Sequence, residues 1–353
     1  MNVAIVGCGN VAERYARQIV GTEPLRLVGV TDTDRERAET LARAFDVTRF
    51  ASLEEVLADD EIDVVVNLTV PEAHASVTAA ALDAGKHVHT EKPLALRYDE
   101  ACELVKLANR TGSRLSCSPA TLLGEAQQTA WKLVRDGALG RVRVVYAEAN
   151  WGRIESWHPT PQALYAVGPL VDVGVYPLTI FTAMFGPVRR VVAYGAMLEP
   201  DRTTLSGEPF RVTAPDFVVS LVELEGGVVA RLTTTFWVEH GRQRGMEFHG
   251  ADGRSLHLAS FQEFDARLDM SNDAGATYAP VPLVREPFRG TDWTRPIVDL
   301  AEAIAAGRPH RAGAEQAAHV VEVVEAIVRS QAEGGAVEVR SDFEPPPPMD
   351  WAS

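Results

Sequence analysis

Six residues near the start of the chain, Gly7-Cys8-Gly9-Asn10-Val11-Ala12, follow directly on the apolar run Val3-Ala4-Ile5-Val6 and lead into a helical pattern. Glycines at this spacing suit a phosphate. Gly7 permits the tight turn and Gly9 lets backbone approach a pyrophosphate. Ala12 lets the next helix pack close to the strand, with its N-terminus toward the negative charge. The glycine spacing alone is a weak signal. It gains weight from a second strand, Leu25 to Thr31, that ends at Asp32, about 20 residues past Ala12, where a carboxylate can accept hydrogen bonds from ribose hydroxyls. Such a carboxylate repels a 2′-phosphate and favours NAD. Arg35 and Arg37 could instead meet that phosphate, which leaves NADP open.

Two further groups have acid–base potential. Lys92 lies in Glu91-Lys92-Pro93, just past the strand pattern His87-Val88-His89-Thr90. Ligands of doubly wound sheets bind outside the carboxyl ends of strands. An ammonium placed there favours an alkoxide and can pass protons. Pro93 biases Lys92 away from helix. The plainer alternative is a solvated lysine before a turn. Asp172 and Tyr176 stand four residues apart, on one face if the stretch is helical, and a carboxylate and a phenol can grip two hydroxyls of one substrate. Tyrosine ordinarily titrates near ~10, and a neighbouring ammonium such as Lys92 would lower that value. Pro177 within the same helical pattern marks a local break. For each residue singly, a packed tyrosine or a capping aspartate remains an alternative. His87 and His89 share one strand face without a third ligand, and Cys8, Cys102 and Cys117 show no metal spacing, so no metal is expected.

These groups need a frame. Strand and helix patterns alternate through the first 120 residues, which implies βαβ units and a doubly wound parallel sheet. Beyond that, long alternating strands dominate, among them Val142–Ala149, Val188–Met197, Phe217–Leu224 and Val228–Val238, with turns at Glu225-Gly226-Gly227 and Asp252-Gly253. A helix-like segment, Gly168–Phe185, interrupts them, and helices are expected at Trp293–Ala306 and Ala314–Glu333. The expected organisation is an α/β dinucleotide-binding domain over residues 1–120 and an α+β domain over 121–353, built on a large open, mainly antiparallel sheet. One face of that sheet packs on helices and the other needs a cover, so a homo-oligomer is expected there, with Phe217, Phe236 and Trp237 as candidate contacts.

Bulk properties narrow the partners. The chain has 353 residues and a net charge of −15, from 34 basic and 49 acidic side chains, with 46% hydrophobic and 24% charged residues. That balance argues against nucleic acid and against an anionic membrane surface. No apolar run is expected to span a bilayer, and the N-terminus runs straight into a strand without a basic leader region. Three cysteines read as reduced thiols of a cytoplasmic protein.

Three motifs in order, Gly7-Cys8-Gly9-Asn10-Val11-Ala12, Glu91-Lys92-Pro93 and Asp172-Val173-Gly174-Val175-Tyr176, resemble the glucose–fructose oxidoreductase/inositol dehydrogenase (Gfo/Idh/MocA) family. The segment from Trp157-His158-Pro159 to Gly168-Pro169-Leu170-Val171-Asp172 resembles its sugar-dehydrogenase-like branch. The similarity covers nearly the whole chain. It implies an NAD(P)-dependent oxidoreductase that moves a hydride between nicotinamide and a carbinol carbon of a sugar or polyol. In that reading Lys92 and Tyr176 manage the hydroxyl proton and Asp172 orients the substrate. Thr69-Val70-Pro71-Glu72-Ala73-His74 resembles the family loop over the ribose and nicotinamide. Thr69, Pro71 and His74 thus join Gly7, Gly9, Asn10, Val11, Asp32, Arg35, Glu91 and Lys92 as expected cofactor residues, although His74 could equally cap its own helix. Trp157 and His158 are expected to line the sugar site. The family commonly forms homodimers or homotetramers. Two departures stand out: Tyr176 occupies a position that is usually His, and Ala166-Val167-Gly168-Pro169 replaces a more glycine-rich stretch. Some relatives are NAD-dependent glycosidases, whose glycine/histidine-rich motif is absent here. Others are non-catalytic sensors, which need not keep Lys92, Asp172 and Tyr176 together.

Overall fold

Runs such as Val64-Val65-Val66 carry no polar residue and read as strands covered on both faces. The structure, a computed structural model, describes residues 1–271 and 277–353. These runs form a six-stranded sheet of β1 (Asn2–Val6), β2 (Arg26–Thr31), β3 (Thr48–Arg49), β4 (Val64–Asn67), β5 (His87–Thr90) and β6 (Leu115–Cys117). The spatial order is β3-β2-β1-β4-β5-β6, parallel throughout. Winding reverses between β1 and β4, and ligands of such sheets bind beyond the carboxyl ends at that switch. The crossovers are α1 (Ala12–Val20), α2 (Arg35–Phe45), α3 (Leu53–Ala58), α4 (Pro71–Asp83) and α5 (Tyr98–Thr111). Local chemistry sets their ends. The Asp34 carboxylate accepts from the N–H groups of Glu36 and Arg37, Ser52 caps α3, and Pro71 opens α4. Ala4, Val6, Val65 and Val88 face one helix layer with Leu82 and Leu104. Val3, Ile5, Val64 and Val66 face the other with Tyr15 and Ile19.

The later part of the chain forms α6 (Glu125–Arg135), β7 (Val142–Asn150), α7 (Gln162–Pro169), a π-helical turn (Leu170–Gly174) and α8 (Val175–Phe185). Then follow β8 (Val188–Ala196), a small hairpin of β9 (Asp201–Thr203) and β10 (Pro209–Arg211), β11 (Phe217–Leu224) and β12 (Val229–Thr235). β13 (Gly245–Gly250), β14 (Ser255–Leu258), β15 (Leu268–Ser271) and β16 (Tyr278–Pro280) continue the chain. The last elements are α9 (Arg295–Ala306), α10 (Ala314–Glu333) and β17 (Val337–Glu338). Nine of these strands make one sheet, ordered β16-β15-β14-β13-β7-β12-β11-β8-β17. It is mixed: β7 and β12 run parallel, and the other pairs are antiparallel.

The chain divides into two compact units, Met1–Ala120 with Asp292–Val321, and Thr121–Thr291 with Glu322–Ser353. The sequence reading draws a single boundary at residue 120. The difference lies in α9, whose stripe Ile297, Leu300 and Ala301 joins the apolar layer of Val3 and Ile5. The start of α10 contributes Ala314, Ala318 and Val321 to the opposite layer. A buried Asp299 holds the link between these helices, accepting from Arg308 at 2.8 Å and Arg311 at 2.5 Å.

Alternation along the large sheet sorts its faces as expected for a half-covered sheet. Val145, Ala147, Val218, Val222, Leu232 and Phe248 are buried. Val192, Tyr194, Leu221 and Val229 are exposed on the other face. Phe236, expected among the open-face contacts, is instead fully buried with Ile154, Tyr165 and Val212, because it lies past the end of β12, where the strand alternation no longer applies. Gln162–Phe185 is long and apolar enough to cross a bilayer by length and composition, a length no apolar run was expected to reach. Its most apolar stretch is 67% buried inside the protein, and Gly168, at φ +74°, breaks the helical path. It is a core segment.

Three histidines of the first unit are pushed below their ordinary titration range, chiefly by burial: His89 to about 3, and His87 and His310 in the same direction. A neutral buried His89 resists protonation, whereas the unfolded chain takes up a proton near ~6.5. Below that pH the unfolded state binds protons that the fold excludes. The contribution of neutral His89 to stability is therefore intact above ~6.5 and is lost as pH falls from there toward 3. Urea midpoints are expected to drop between pH 7 and pH 5, and the drop should be smaller in His89→Gln. An equal drop in both proteins would assign the acid sensitivity to other groups.

Candidate functional site

The glycine turn packs tightly on one side and is open on the other. Gly7 adopts φ +99°, and a Cβ there would stand 2.6 Å from the backbone carbonyl of Leu68. A Cβ on Gly9 would meet nothing within 4 Å. Gly7 is thus required by the protein itself, while the space over Gly9 is free for a ligand. α1 begins at Ala12 immediately behind it, so the positive end of its dipole faces that space. Asp32, at the end of β2, accepts from the Cys8 N–H at 2.6 Å and the Asp34 N–H at 2.7 Å. These bonds tie the turn to the end of β2. Burial and the Asp32 charge push the Cys8 thiol up to about 12, which disfavours its thiolate. Arg37 pairs with Asp34, and Arg35 is exposed with no ion pair among the described residues. The empty space over Gly9, the helix terminus and the ribose-side carboxylate together fit a dinucleotide.

The segments after β4 and β5 are held by side chains of the same unit. Asn67 Oδ1 accepts from both the N–H and the hydroxyl of Thr69, at 3.2 and 2.7 Å. Glu91 is buried, with its carboxylate accepting from the Tyr15 hydroxyl at 2.6 Å and from the Lys92 N–H at 3.0 Å. From Tyr15 a chain of polar groups continues through Ser118 to His89 and Ser116. His74 is buried at 1% exposure, and its ring nitrogens contact the Pro93 and Thr69 carbonyls. The side chains of Glu91 and His74 therefore support the loop from within, while Lys92 stands at the carboxyl end of β5. Sequence reasoning missed the Tyr15–Glu91 link, which joins residues 76 positions apart.

In the second unit, Asp172 lies in the π turn and Tyr176 is the second residue of α8, with its ring 6.1 Å from that of Phe261. π turns inside helices concentrate at functional sites. Pro177 is the third residue of α8, which follows directly on the π turn Leu170–Gly174. The irregularity lies upstream, at Gly168 and the π turn. Trp157 is 50% exposed and meets the His158 ring edge-on at 5.4 Å, and His158 Nδ1 accepts from the Thr160 N–H. A buried ion-pair cluster anchors this loop. Arg202 donates to Glu155 at 2.8 Å and Asp216 at 2.5 Å, the Tyr165 hydroxyl also donates to Glu155, and the guanidinium stacks over Tyr165 and Trp237.

A dinucleotide turn on a doubly wound unit, followed by an α+β unit with an open sheet, defines a two-unit NAD-binding oxidoreductase. Residues 1–118 match an oxidoreductase family with an NAD-binding Rossmann fold, and residues 127–255 match the GFO/IDH/MocA C-terminal domain. The chain belongs to the Gfo/Idh/MocA family of oxidoreductases. An uncharacterised oxidoreductase of Rhizobium meliloti is 30% identical over 183 residues, 51% of this chain and 55% of that one, so the match spans about half of that relative. A dTDP-3,4-didehydro-2,6-dideoxy-α-D-glucose 3-reductase of Actinomadura kijaniata is 25% identical over 93% of this chain and 94% of its own. The structure of a levoglucosan dehydrogenase in complex with NADH and L-sorbose shares the fold, with a TM-score of 0.82 at 20% identity over 97% and 99% of the two chains.

The two glycines should separate on substitution. Gly9→Val is expected to leave thermal stability close to that of the unmodified protein while abolishing NADH binding in a fluorescence titration. Gly7→Ala should destabilise the fold itself, since the added methyl has no room. Unchanged NADH affinity in folded Gly9→Val would place the cofactor elsewhere.

Proposed function

We propose that the protein is an NAD-dependent dehydrogenase or reductase acting on a CH–OH carbon of a sugar or polyol. The observation that carries this reading is Lys92, held at the carboxyl end of β5 in the same unit as a turn built for a dinucleotide. The sugar reductase named above supports the substrate class. When bound, nicotinamide accepts or gives the hydride. The chain's own work is with protons and orientation. Lys92 favours the alkoxide form of the reacting hydroxyl, and Tyr176 exchanges its proton. Asp172 accepts hydrogen bonds from the substrate and fixes which hydroxyl is presented. Asp32 favours NAD over NADP by repelling a 2′-phosphate, with exposed Arg35 as the group that would serve NADP. Trp157 and His158 supply an exposed aromatic surface suited to a sugar ring. The three thiols are free, consistent with a cytoplasmic protein.

The same reading includes a homodimer or homotetramer in which a second copy covers the open sheet face. Val192, Tyr194 and Leu221 supply apolar area there. Beside them lies a hollow of about 270 Å³ lined in part by Tyr146, Glu148, Arg231 and Tyr278. Light scattering should return a multiple of the single-chain mass, and Tyr194→Glu with Leu221→Glu should lower it. A single-chain mass for the unmodified protein would end this part of the reading.

The chemical test is a sugar and polyol panel followed at the nicotinamide absorbance with both NAD and NADP. On the best substrate, Lys92→Ala should lower turnover by about 10²-fold or more with little change in NADH affinity. Tyr176→Phe should do the same. Tyr176→His should keep measurable activity, with its pH profile moved to lower pH, because imidazole titrates nearer neutrality. Full activity in Tyr176→Phe would reduce that residue to packing. Absence of turnover on every panel member with tight NADH binding would favour a sensor.

A further inference from the structure

We propose that His74 is a positioning residue that sets Lys92, by tying together the two chain segments that leave the carboxyl ends of β4 and β5. The inference rests on the acid–base role given to Lys92 above.

β4 and β5 are parallel neighbours, with Asn67 opposite Thr90. The segments that follow them, Leu68–Val70 and Glu91–Pro93, therefore leave the sheet side by side. The ladder continues only to the Glu91 N–H, which donates to the Asn67 carbonyl at 2.9 Å. Past that point His74, in the first turn of α4, takes over. Its Nδ1 lies 2.7 Å from the Pro93 carbonyl oxygen and its Nε2 lies 3.0 Å from the Thr69 carbonyl oxygen. The seat of the ring is itself fixed, because Asn67 Nδ2 donates to the His74 carbonyl at 3.1 Å and to the Thr78 hydroxyl at 3.1 Å.

Both partners of the ring are carbonyl oxygens, which only accept. The ring is wedged between the two, and the tautomer decides which carbonyl receives its N–H. A histidine retained merely to fill space would not need an acceptor at each nitrogen. A phenylalanine could fill the same volume. On the other flank, the Glu91 carboxylate takes the Lys92 N–H at 3.0 Å and is braced by Tyr15. The backbone is thus fixed on both sides of Lys92, by Glu91 before it and by His74 after it. Positional errors of about 1 Å at a catalytic group can cost about 10²-fold in rate, so a brace of this kind has a measurable consequence.

The experiment compares His74→Phe, which keeps volume and removes both nitrogens, with His74→Gln, which keeps one N–H donor group. On the best panel substrate, His74→Phe should lower kcat by about 10-fold or more and His74→Gln by less. The decisive comparison is the same substitution in a Lys92→Ala background, where it should change kcat by less than about twofold because the group it positions is gone. Equal losses in both backgrounds would make His74 a general structural residue and overturn the proposal. A second readout does not depend on turnover. The chain has only four lysines, Lys86, Lys92, Lys106 and Lys132. Protein labelled with ¹³C at lysine Cε should give four resolvable side-chain signals, with that of Lys92 identified by its loss in Lys92→Ala. In folded His74→Phe the Lys92 signal should shift or broaden while the other three stay. An unmoved Lys92 signal overturns the proposal. If Lys92→Ala retains full turnover, the acid–base reading has failed, and the lysine spectrum alone decides whether His74 sets the position of Lys92.

Discussion

At Gly7 the turn after β1 lies against the backbone of Leu68 and Thr69 with no room for a methyl group. The first unit's ligand edge depends on that approach. It is possible because β1 and β4 are register neighbours, Val6 beside Asn67, and because glycine alone reaches φ +99° without strain. The other strand ends are fastened to this pair in sequence. Asp32 draws β2 onto the turn through the Cys8 N–H. Asn67 holds the segment after β4 by accepting from the Thr69 N–H, and Glu91 and His74 do so after β5. Four loops with no common secondary structure are thus set by side-chain-to-backbone bonds, each donor or acceptor buried or half-buried. Such bonds are worth most where water cannot compete.

The second unit solves a similar problem with charge. Arg202, Asp216 and Glu155 are almost wholly withdrawn from solvent at their side chains. Burying such ions is unfavourable unless every one is paired, and removing a single partner leaves an uncompensated charge worth about 3–5 kcal/mol. Here the guanidinium has a carboxylate on each of two sides and aromatic rings against its plane. What the cluster provides is geometry. It binds the turn before Trp157, the start of β9 and the approach to β11 around Tyr165. From Tyr165 the chain passes directly into Gly168 and the π turn that carries Asp172.

The parallel sheet and most of its strands and helices were legible in the sequence, because apolar runs, glycine turns and a capping residue such as Ser52 act locally. What was not legible depended on distant partners. Phe236 reads as an alternating strand residue until the chain leaves β12, and only packing with Tyr165 and Val212 makes it core. Residues 292–321 read as part of the second unit, because nothing local to α9 says which apolar layer its stripe will join. At the candidate site Pro177 signalled a local irregularity in the helical pattern, but its form, a π turn over Leu170–Gly174, has no composition of its own. His74 left two alternatives open, and its ring has proved committed to two carbonyls that no spacing rule pairs.

The choice of lysine at position 92 bears on the chemistry. This chain meets its need for positive charge almost entirely with arginine, and only four of its 34 basic residues are lysines. Lys86 donates to the Asp59 carbonyl, while Lys106 and Lys132 pair with Glu103 and Asp136 on helix surfaces. If position 92 needed only a fixed charge to hold an anion, arginine would bind it with more hydrogen bonds and better geometry. Arginine, however, stays protonated at any pH the protein meets, whereas an ammonium releases its proton readily when its surroundings shift it. On the function proposed for Lys92, a group that favours an alkoxide in one direction and returns a proton in the other makes use of that freedom. Glu91, which accepts from the Lys92 N–H, and His74, against the Pro93 carbonyl, fix the backbone on either side of this lysine.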